Sequence, residues 1–414
     1  MRMLLAGFVS CSVWAQIADS PAAEVAGIAV NYTESQVGAY RLPDALQLGN
    51  GKPVRDAKTW TTTRRPEIVQ LFEENQYGRA PQRPAKMSFD VFDKGTPAFE
   101  GKAVRRQVTI HFTEAKSGPK LDLLLYLPAN ANKRVPVLLN IAFTTNSNMV
   151  EDPGVKQGEV WSREKKRVPA STGRRFGSLK VLPFLEAGIG VATFYYGDVE
   201  PDFAGGEAFG VRGILKGSWG AIGAWAWGMS RALDYLETDA GVDAKRVAIT
   251  GVSRLGKTVM WAGAADPRFA AVIASCSGEG GAALSRRNYG ETIAHLVEPT
   301  RYPYQFTANY AKYSSRVNEF PVDANLLVAL IAPRPLLLQT GNTDKWSDPM
   351  GEFLAAVAAG PVYRLLGKQD LGADTLPPPG TAILNTLGYI MHDGGHGTVP
   401  SDWDVYLQFL KKHL

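Results

Sequence analysis

The sequence has little cysteine: Cys11 and Cys276 are the only two in 414 residues. That excludes a disulfide framework and a cysteine-rich zinc site. No apolar run reaches the roughly 18 residues that a transmembrane helix needs. No repeat, no extended low-complexity tract and no concentrated basic stripe is found. Lysine plus arginine exceed aspartate plus glutamate by only 45 − 40 = 5, so no nucleic-acid partner is expected. Histidine is scarce too, with five residues, which keeps the list of candidate general bases short. What the chain has in quantity is core and turns. It is 45% hydrophobic and 10% aromatic, with 42 glycines and 26 prolines. Disorder, collagen and coiled coil are thereby excluded as the main architecture.

Residues 1–15 read as a signal peptide. Arg2 supplies the charged start, Leu4–Trp14 a short apolar stretch, and Val13-Trp14-Ala15 an A-x-A-like cleavage site. A periplasmic or secreted protein is expected. Lipoprotein attachment at Cys11 is the alternative, although Phe8-Val9-Ser10 is a poor lipobox. Residues 16–414 show no convincing linker and are read as one domain.

From residue 104 onward the pattern is regular. Val104–Phe112 alternates, and Leu121–Leu127 is a second strand candidate. Short apolar runs follow at Val135–Ile141, Ile189–Tyr195, Arg246–Thr250, Phe269–Cys276, Pro335–Gln339 and Gly388–His392. Runs of this kind, bounded by turns, read as buried strands of a mostly parallel sheet. Helical patterns lie between them at Val181–Ala187, Ile222–Glu237, Lys257–Ala264 and Gly351–Ala359, with a closing helix at Trp403–His413. The expected class is α/β, with helices on both faces. Two long connections, Thr144–Gly177 and Gly278–Asn325, have the length that often carries function. The basic cluster of the first (Lys165, Lys166, Arg167, Arg174, Arg175) is read as a solvated face ahead of a binding patch.

The sharpest local feature is Gly251-Val-Ser253-Arg254-Leu-Gly256-Lys257, after a strand and before a helix. A strand–turn–helix elbow exposes a serine hydroxyl above the sheet, although here the second glycine is one residue later than in G-x-S-x-G. An ordinary N-cap serine is the plainer reading. A nucleophilic serine needs a base, and the base needs a group to orient it. His396, in a glycine-rich loop after the last strand, is the candidate base. His111 and His413 are read as structural or exposed, and His392 as a packing or hydrogen-bonding residue. A zinc pair of His392 with His396 is disfavoured by Gly394 and Gly395 and by the want of a third ligand. Asp344 follows the next-to-last strand and is the candidate acid; Asp348, before Pro349, is the runner-up and could equally cap a helix. The order Ser253, Asp344, His396 matches the α/β-hydrolase layout.

With these residues in view, the sequence resembles the glucuronoyl esterases, carbohydrate esterase family 15, and their bacterial branch in particular. The elbow is similar to the family's G-C-S-R-x-G-K. Further likeness lies in Ser277-Gly-Glu-Gly-Gly281, Tyr289-Gly-Glu291, Leu330–Leu336, Asp344–Pro349, Gly394-Gly-His396 and the Trp60–Pro81 stretch. The resemblance implies Ser253 as nucleophile, His396 as base and Arg254 as a side-chain contributor to the oxyanion site. It implies Lys257, Glu291 and Trp346 as contacts to a uronate sugar. Three departures stand out. Many relatives carry a catalytic glutamate where this chain has Cys276, which puts the acid role on Asp344; Glu279 is offset by three. Val252 replaces the elbow cysteine that forms a disulfide in fungal relatives. Thr300–Phe306 offers no convincing match to the family's sugar-binding glutamine.

The resulting expectation is a monomeric, secreted serine carboxylesterase of the α/β-hydrolase fold. It would act on esters of (4-O-methyl-)glucuronic acid, as in lignin–glucuronoxylan linkages, with no cofactor and no metal. An acetyl or general carboxylesterase on the same fold, or a non-catalytic carbohydrate-binding relative, are the alternatives.

Overall fold

The computed structural model describes residues 22–171 and 178–414. The expected signal peptide with Cys11, and Arg174 and Arg175 of the basic cluster, lie outside the described residues.

A nine-stranded sheet organises the chain. Its strands are β1 (Ser88–Ala98), β2 (Ala103–His111), β3 (Lys120–Pro128), β4 (Val135–Ala142), β5 (Gly190–Tyr195), β6 (Val242–Val252), β7 (Ala271–Ser275), β8 (Leu336–Gly341) and β9 (Leu387–His392). They lie in the order β1-β2-β3-β5-β4-β6-β7-β8-β9. The strands from β1 to β3 pair antiparallel, as does β3 with β5. From β5 to β9 every neighbour is parallel. The expected strands are present, each shifted by a few residues at most. β1 is an addition. Its sequence, SFDVFDKGTPA, carries a glycine and a proline and leaves Phe92 45% exposed. It is an edge strand with little to bury, so its apolar pattern is faint.

The central strands are apolar on both faces because both are covered. Val247 and Ile249 of β6 point into one apolar layer and Ala248 into the other; Leu336, Leu338 and Leu337 of β8 divide the same way. The first layer is filled by α1 (Ala221–Leu236), α2 (Arg254–Ala265), α3 (Ala324–Ile331) and α4 (Pro349–Leu365). The second is closed by the short helix Val181–Glu186 and by α5 (Pro400–His413), through Phe184, Tyr406 and Phe409. α3 begins where the sequence reads only as the end of a long connection. Its residues ANLLVALI are buried throughout, so no polar face marks a helical period.

This topology sets the carboxyl ends of β6, β7, β8 and β9 side by side. In open α/β sheets that edge is where ligands bind.

Candidate active site

Ser253 stands between β6 and α2 with φ 60° and ψ −127°. A non-glycine residue rarely holds such a backbone, and here it lifts the side chain out of the strand. The two flanking glycines make the turn possible by close approach. A Cβ on Gly251 would lie 2.5 Å from the Leu255 carbonyl oxygen, and one on Gly256 would lie 2.7 Å from that of Ser275. The late glycine is thus where α2 passes the end of β7. The Ser253 amide donates to the Ser275 carbonyl at 2.8 Å, which fixes the turn to that strand.

A cavity of about 310 Å³ opens over this edge, and Ser253, Cys276, Asp344 and His396 all line it. His396 Nδ1 lies 2.7 Å from Asp344 Oδ2 and 3.1 Å from Ser347 Oγ. A proton held on Nδ1 by the carboxylate leaves the Nε2 lone pair available. Burial alone would raise the Asp344 carboxyl. The hydrogen bond and charge of His396, with donors from Ser347, outweigh it and hold the group below the usual carboxylate range.

The other candidate acids are engaged elsewhere. Asp348 accepts from the Gly351 amide at 3.0 Å and from Arg287 Nε at 2.9 Å, and so caps α4. Glu279 is buried and accepts from Tyr310 OH and Ser285 Oγ at 2.6 and 2.7 Å. Cys276 follows β7 at φ 44°. Its sulfur, an Asp344 oxygen and a His396 ring nitrogen lie within 4.8 Å of one another. His392 makes buried contacts at 2.9 Å to Asp402 and to the Gly395 carbonyl, bracing the glycine loop that carries His396. His111 sits at the end of β2 and His413 near the end of α5, both away from the cavity.

Lys257, Glu291 and Trp346 share the same cavity. Lys257 Nζ donates to the Ser277 carbonyl at 2.7 Å and lies 3.7 Å from Glu291. Burial lowers its pKa even though Glu291 opposes the shift. Glu291 accepts from Arg301 at 2.9 Å. The Trp346 ring meets His295 edge-on at 5.2 Å, with the Arg301 guanidinium 5.3 Å from its centre. Arg254 also lines the cavity, its guanidinium 4.6 Å from the Tyr302 ring centre and ion-paired with Asp202.

Known proteins carry the same arrangement of chain. A description of fungal glucuronyl esterases matches residues 162–367. Carbohydrate esterase MZ0003, from an unknown prokaryotic organism, is 43% identical over 404 residues, covering 93% of this chain and 92% of its own. A solved glucuronoyl esterase from Solibacter usitatus is 46% identical and superposes with a TM-score of 0.88 over 92% of this chain and all of its own. A solved structure described as a promiscuous CE15 esterase from a marine bacterial metagenome is 42% identical, with a TM-score of 0.86 over 93% and 100%. The chain belongs to carbohydrate esterase family 15.

In this member of family 15 the long connection after β7 supplies much of the site. Glu291, Leu296, Arg301, Tyr302 and Gln305 all come from it. Gln305, in the stretch that shows no clear sequence match, does line the cavity. Sequence reasoning also passes over Asp202 and Tyr32. Asp202 follows β5, and its one signal is a carboxylate just past a strand end. Tyr32 comes from the N-terminal segment, which is tied down by the Gly290 amide donating to Asn31 O at 2.9 Å. Burial, then Tyr289, Asp344 and Glu291, push the Tyr32 hydroxyl up to about 12. The described part of Thr144–Gly177 lines no part of this cavity. Its Arg167 pairs with Asp198 at 2.7 Å, and Lys165 Nζ donates to the Ala204 carbonyl at 3.0 Å.

Among the described residues no helix is long and apolar enough to cross a membrane.

Proposed function

We propose that this protein is a serine esterase that hydrolyses esters of glucuronic acid, including its 4-O-methyl form, and releases the uronate and an alcohol. The observation that carries the reading is the elbow serine sharing one cavity with a histidine held by a buried aspartate. Ser253 attacks the ester carbonyl and His396 Nε2 accepts its proton. Asp344 stabilises the imidazolium that forms. Oxyanion charge is met at the start of α2, whose first amides lack helical partners, and by the Arg254 side chain. His396 returns the proton to the departing alcohol. Water then takes the same path and frees the acid from Ser253.

The ester is uncharged at its carboxyl, so recognition falls to the ring and hydroxyls. Lys257 and Glu291 are the hydrogen-bonding residues for them, and Trp346 offers a flat apolar face. The glucuronoyl esterase name of the Solibacter relative supports this substrate class. Lignin–glucuronoxylan esters are the polymer setting that fits it. Residues 1–15, read as an export signal, support action outside the cytoplasm.

The promiscuous relative favours a second reading, in which other carboxylic esters are also accepted. The test compares methyl and benzyl glucuronate with acetylated xylan and 4-nitrophenyl acetate, using the wild type and Ser253→Ala. A folded Ser253→Ala protein should lose at least a thousandfold on uronate esters, in line with the size of triad effects. Turnover of acetyl esters with none of uronate esters would overturn the substrate assignment.

A further inference from the structure

Asp202 carries more hydrogen bonds than any plain surface carboxylate would. Its side chain is 7% exposed. Oδ2 accepts from Arg254 Nη1 and from Tyr196 OH at 3.0 Å. Oδ1 accepts from Tyr304 OH and from Gln305 Nε2, both at 2.8 Å. Four donors fill the four lone-pair positions of a carboxylate. They come from three separate stretches: the end of β5, the first residue of α2, and the long connection after β7. The Arg254 guanidinium is held at its edge by Asp202 and on its face by Tyr302. Among the described residues it makes no other hydrogen bond to protein, so its remaining N–H groups are left for the cavity that Arg254 lines.

Two consequences follow from elementary electrostatics. Donors stabilise a developing charge only when they are already in place, because reorganising them during the reaction costs what they would contribute. An arginine side chain has several free torsions, and the contact with Asp202 removes much of that freedom. The second consequence concerns the product. The ester is neutral and the released acid is an anion. A guanidinium without a counter-charge would attract that anion wherever it lay in the cavity and delay its release.

We infer that Asp202 is a positioning residue that acts through Arg254, aiming its donors at the elbow and balancing its charge against the carboxylate product. This rests on the reading of ester hydrolysis at Ser253 given above.

A double-mutant cycle tests it, with Asp202→Asn, Arg254→Ala and the pair assayed on 4-nitrophenyl acetate and methyl glucuronate. Asp202→Asn should lower kcat about a hundredfold, the scale of losing one oxyanion donor, with KM for the neutral esters changed less than about threefold. In the Arg254→Ala background the same substitution should change kcat less than about threefold. Inhibition of the single variant by glucuronate should tighten several-fold. An equal kcat loss in both backgrounds would overturn the inference, since Asp202 would then be supporting the fold. Unchanged product inhibition would remove the charge-balancing role. Should Asp202→Asn not fold, Tyr304→Phe deletes one donor and keeps the charge. A smaller kcat loss, absent in the Arg254→Ala background, supports the inference, and no loss counts against it. A wild type that cleaves nitrophenyl acetate but not methyl glucuronate would sink the substrate reading alone, because the cycle on nitrophenyl acetate still decides the role of Asp202.

Discussion

His396 Nδ1 and Asp344 Oδ2 lie 2.7 Å apart, although 52 residues separate them in the chain. The aspartate hangs from the loop after β8 and the histidine from the loop after β9, so the parallel pairing of those two strands sets the contact. Gly341, paired with His392 at the end of that ladder, is the last register point before the two loops meet.

That contact fixes the first prediction. Asp344→Asn should lower kcat on uronate esters by about a thousandfold or more, because an amide neither selects the tautomer nor stabilises the imidazolium. Asp348→Asn should instead cost stability, since it weakens the cap of α4 and leaves the buried Arg287 with a poorer partner. Steady-state kinetics and thermal melts on both variants separate the two. A larger kcat loss in Asp348→Asn would contradict the assignment.

The second prediction concerns Cys276. Its sulfur is within 4.8 Å of both Asp344 and His396, at the end of β7, the strand beside the one that Asp344 follows. A carboxylate placed there would lie beside the His396 imidazole. Cys276→Glu in an Asp344→Asn background should recover at least tenfold of the lost kcat. Recovery should be absent with Cys276→Gln, which matches the size and lacks the charge. Equal kinetics for the two double variants would show that position 276 cannot serve as an acid site in this chain.

Much of this site is legible in the sequence because strand ends announce themselves. Ser253, Asp344 and His396 each follow a compact apolar run, and the order of those runs along the chain is also their order across the sheet. Lys257, Glu291 and Trp346 needed the family resemblance, because a lone lysine, glutamate or tryptophan carries no local pattern of use. What stayed hidden depends on the tertiary path of the long loops. Tyr302 reaches Arg254, and Gln305 reaches its partner Asp202, only after the connection beyond β7 folds back over the elbow, and no periodicity encodes that return. β1 was hidden for the opposite reason, as an exposed edge with too little apolar contrast.

The third prediction separates substrate recognition from ester chemistry. Lys257 is buried, and its ammonium is held by the Ser277 carbonyl and lies 3.7 Å from Glu291. A site that hydrogen-bonds sugar hydroxyls penalises substrates that leave those groups unpaired. Lys257→Ala should lower kcat/KM for methyl glucuronate at least tenfold more than for 4-nitrophenyl acetate. Equal losses on the two esters would mean that the lysine supports the elbow, and no loss on either would mean that it contacts nothing in the reaction.

The last prediction is about pH and stability, and it turns on Glu352. This residue lies on α4 and is fully buried. Its Oε1 accepts from the Gly278 amide at 2.6 Å and from Ser277 Oγ at 3.2 Å, while Oε2 has no hydrogen-bond partner among the described residues. Burial pushes the carboxyl up to about 8, against the opposing pull of those donors. A group whose folded value lies above its unfolded one stabilises the fold fully below the unfolded value, near 4.5 here, and that contribution drains away as pH rises through 8. Buried Glu279, also raised to about 8, adds to the same decline. The melting temperature of the wild type should therefore fall between pH 5 and pH 9. Glu352→Gln keeps the acceptor for Gly278 and cannot ionise, so its curve should be shallower, with Glu279 and other groups raised in the fold, among them Asp198, Asp348 and His392, carrying the remaining slope. The slope decides, because the amide N–H that replaces Oε2 has no partner either and shifts the whole curve by a cost of about 1–3 kcal/mol. A Glu352→Gln curve parallel to the wild type across that range would show that Glu352 stays ionised in the folded protein.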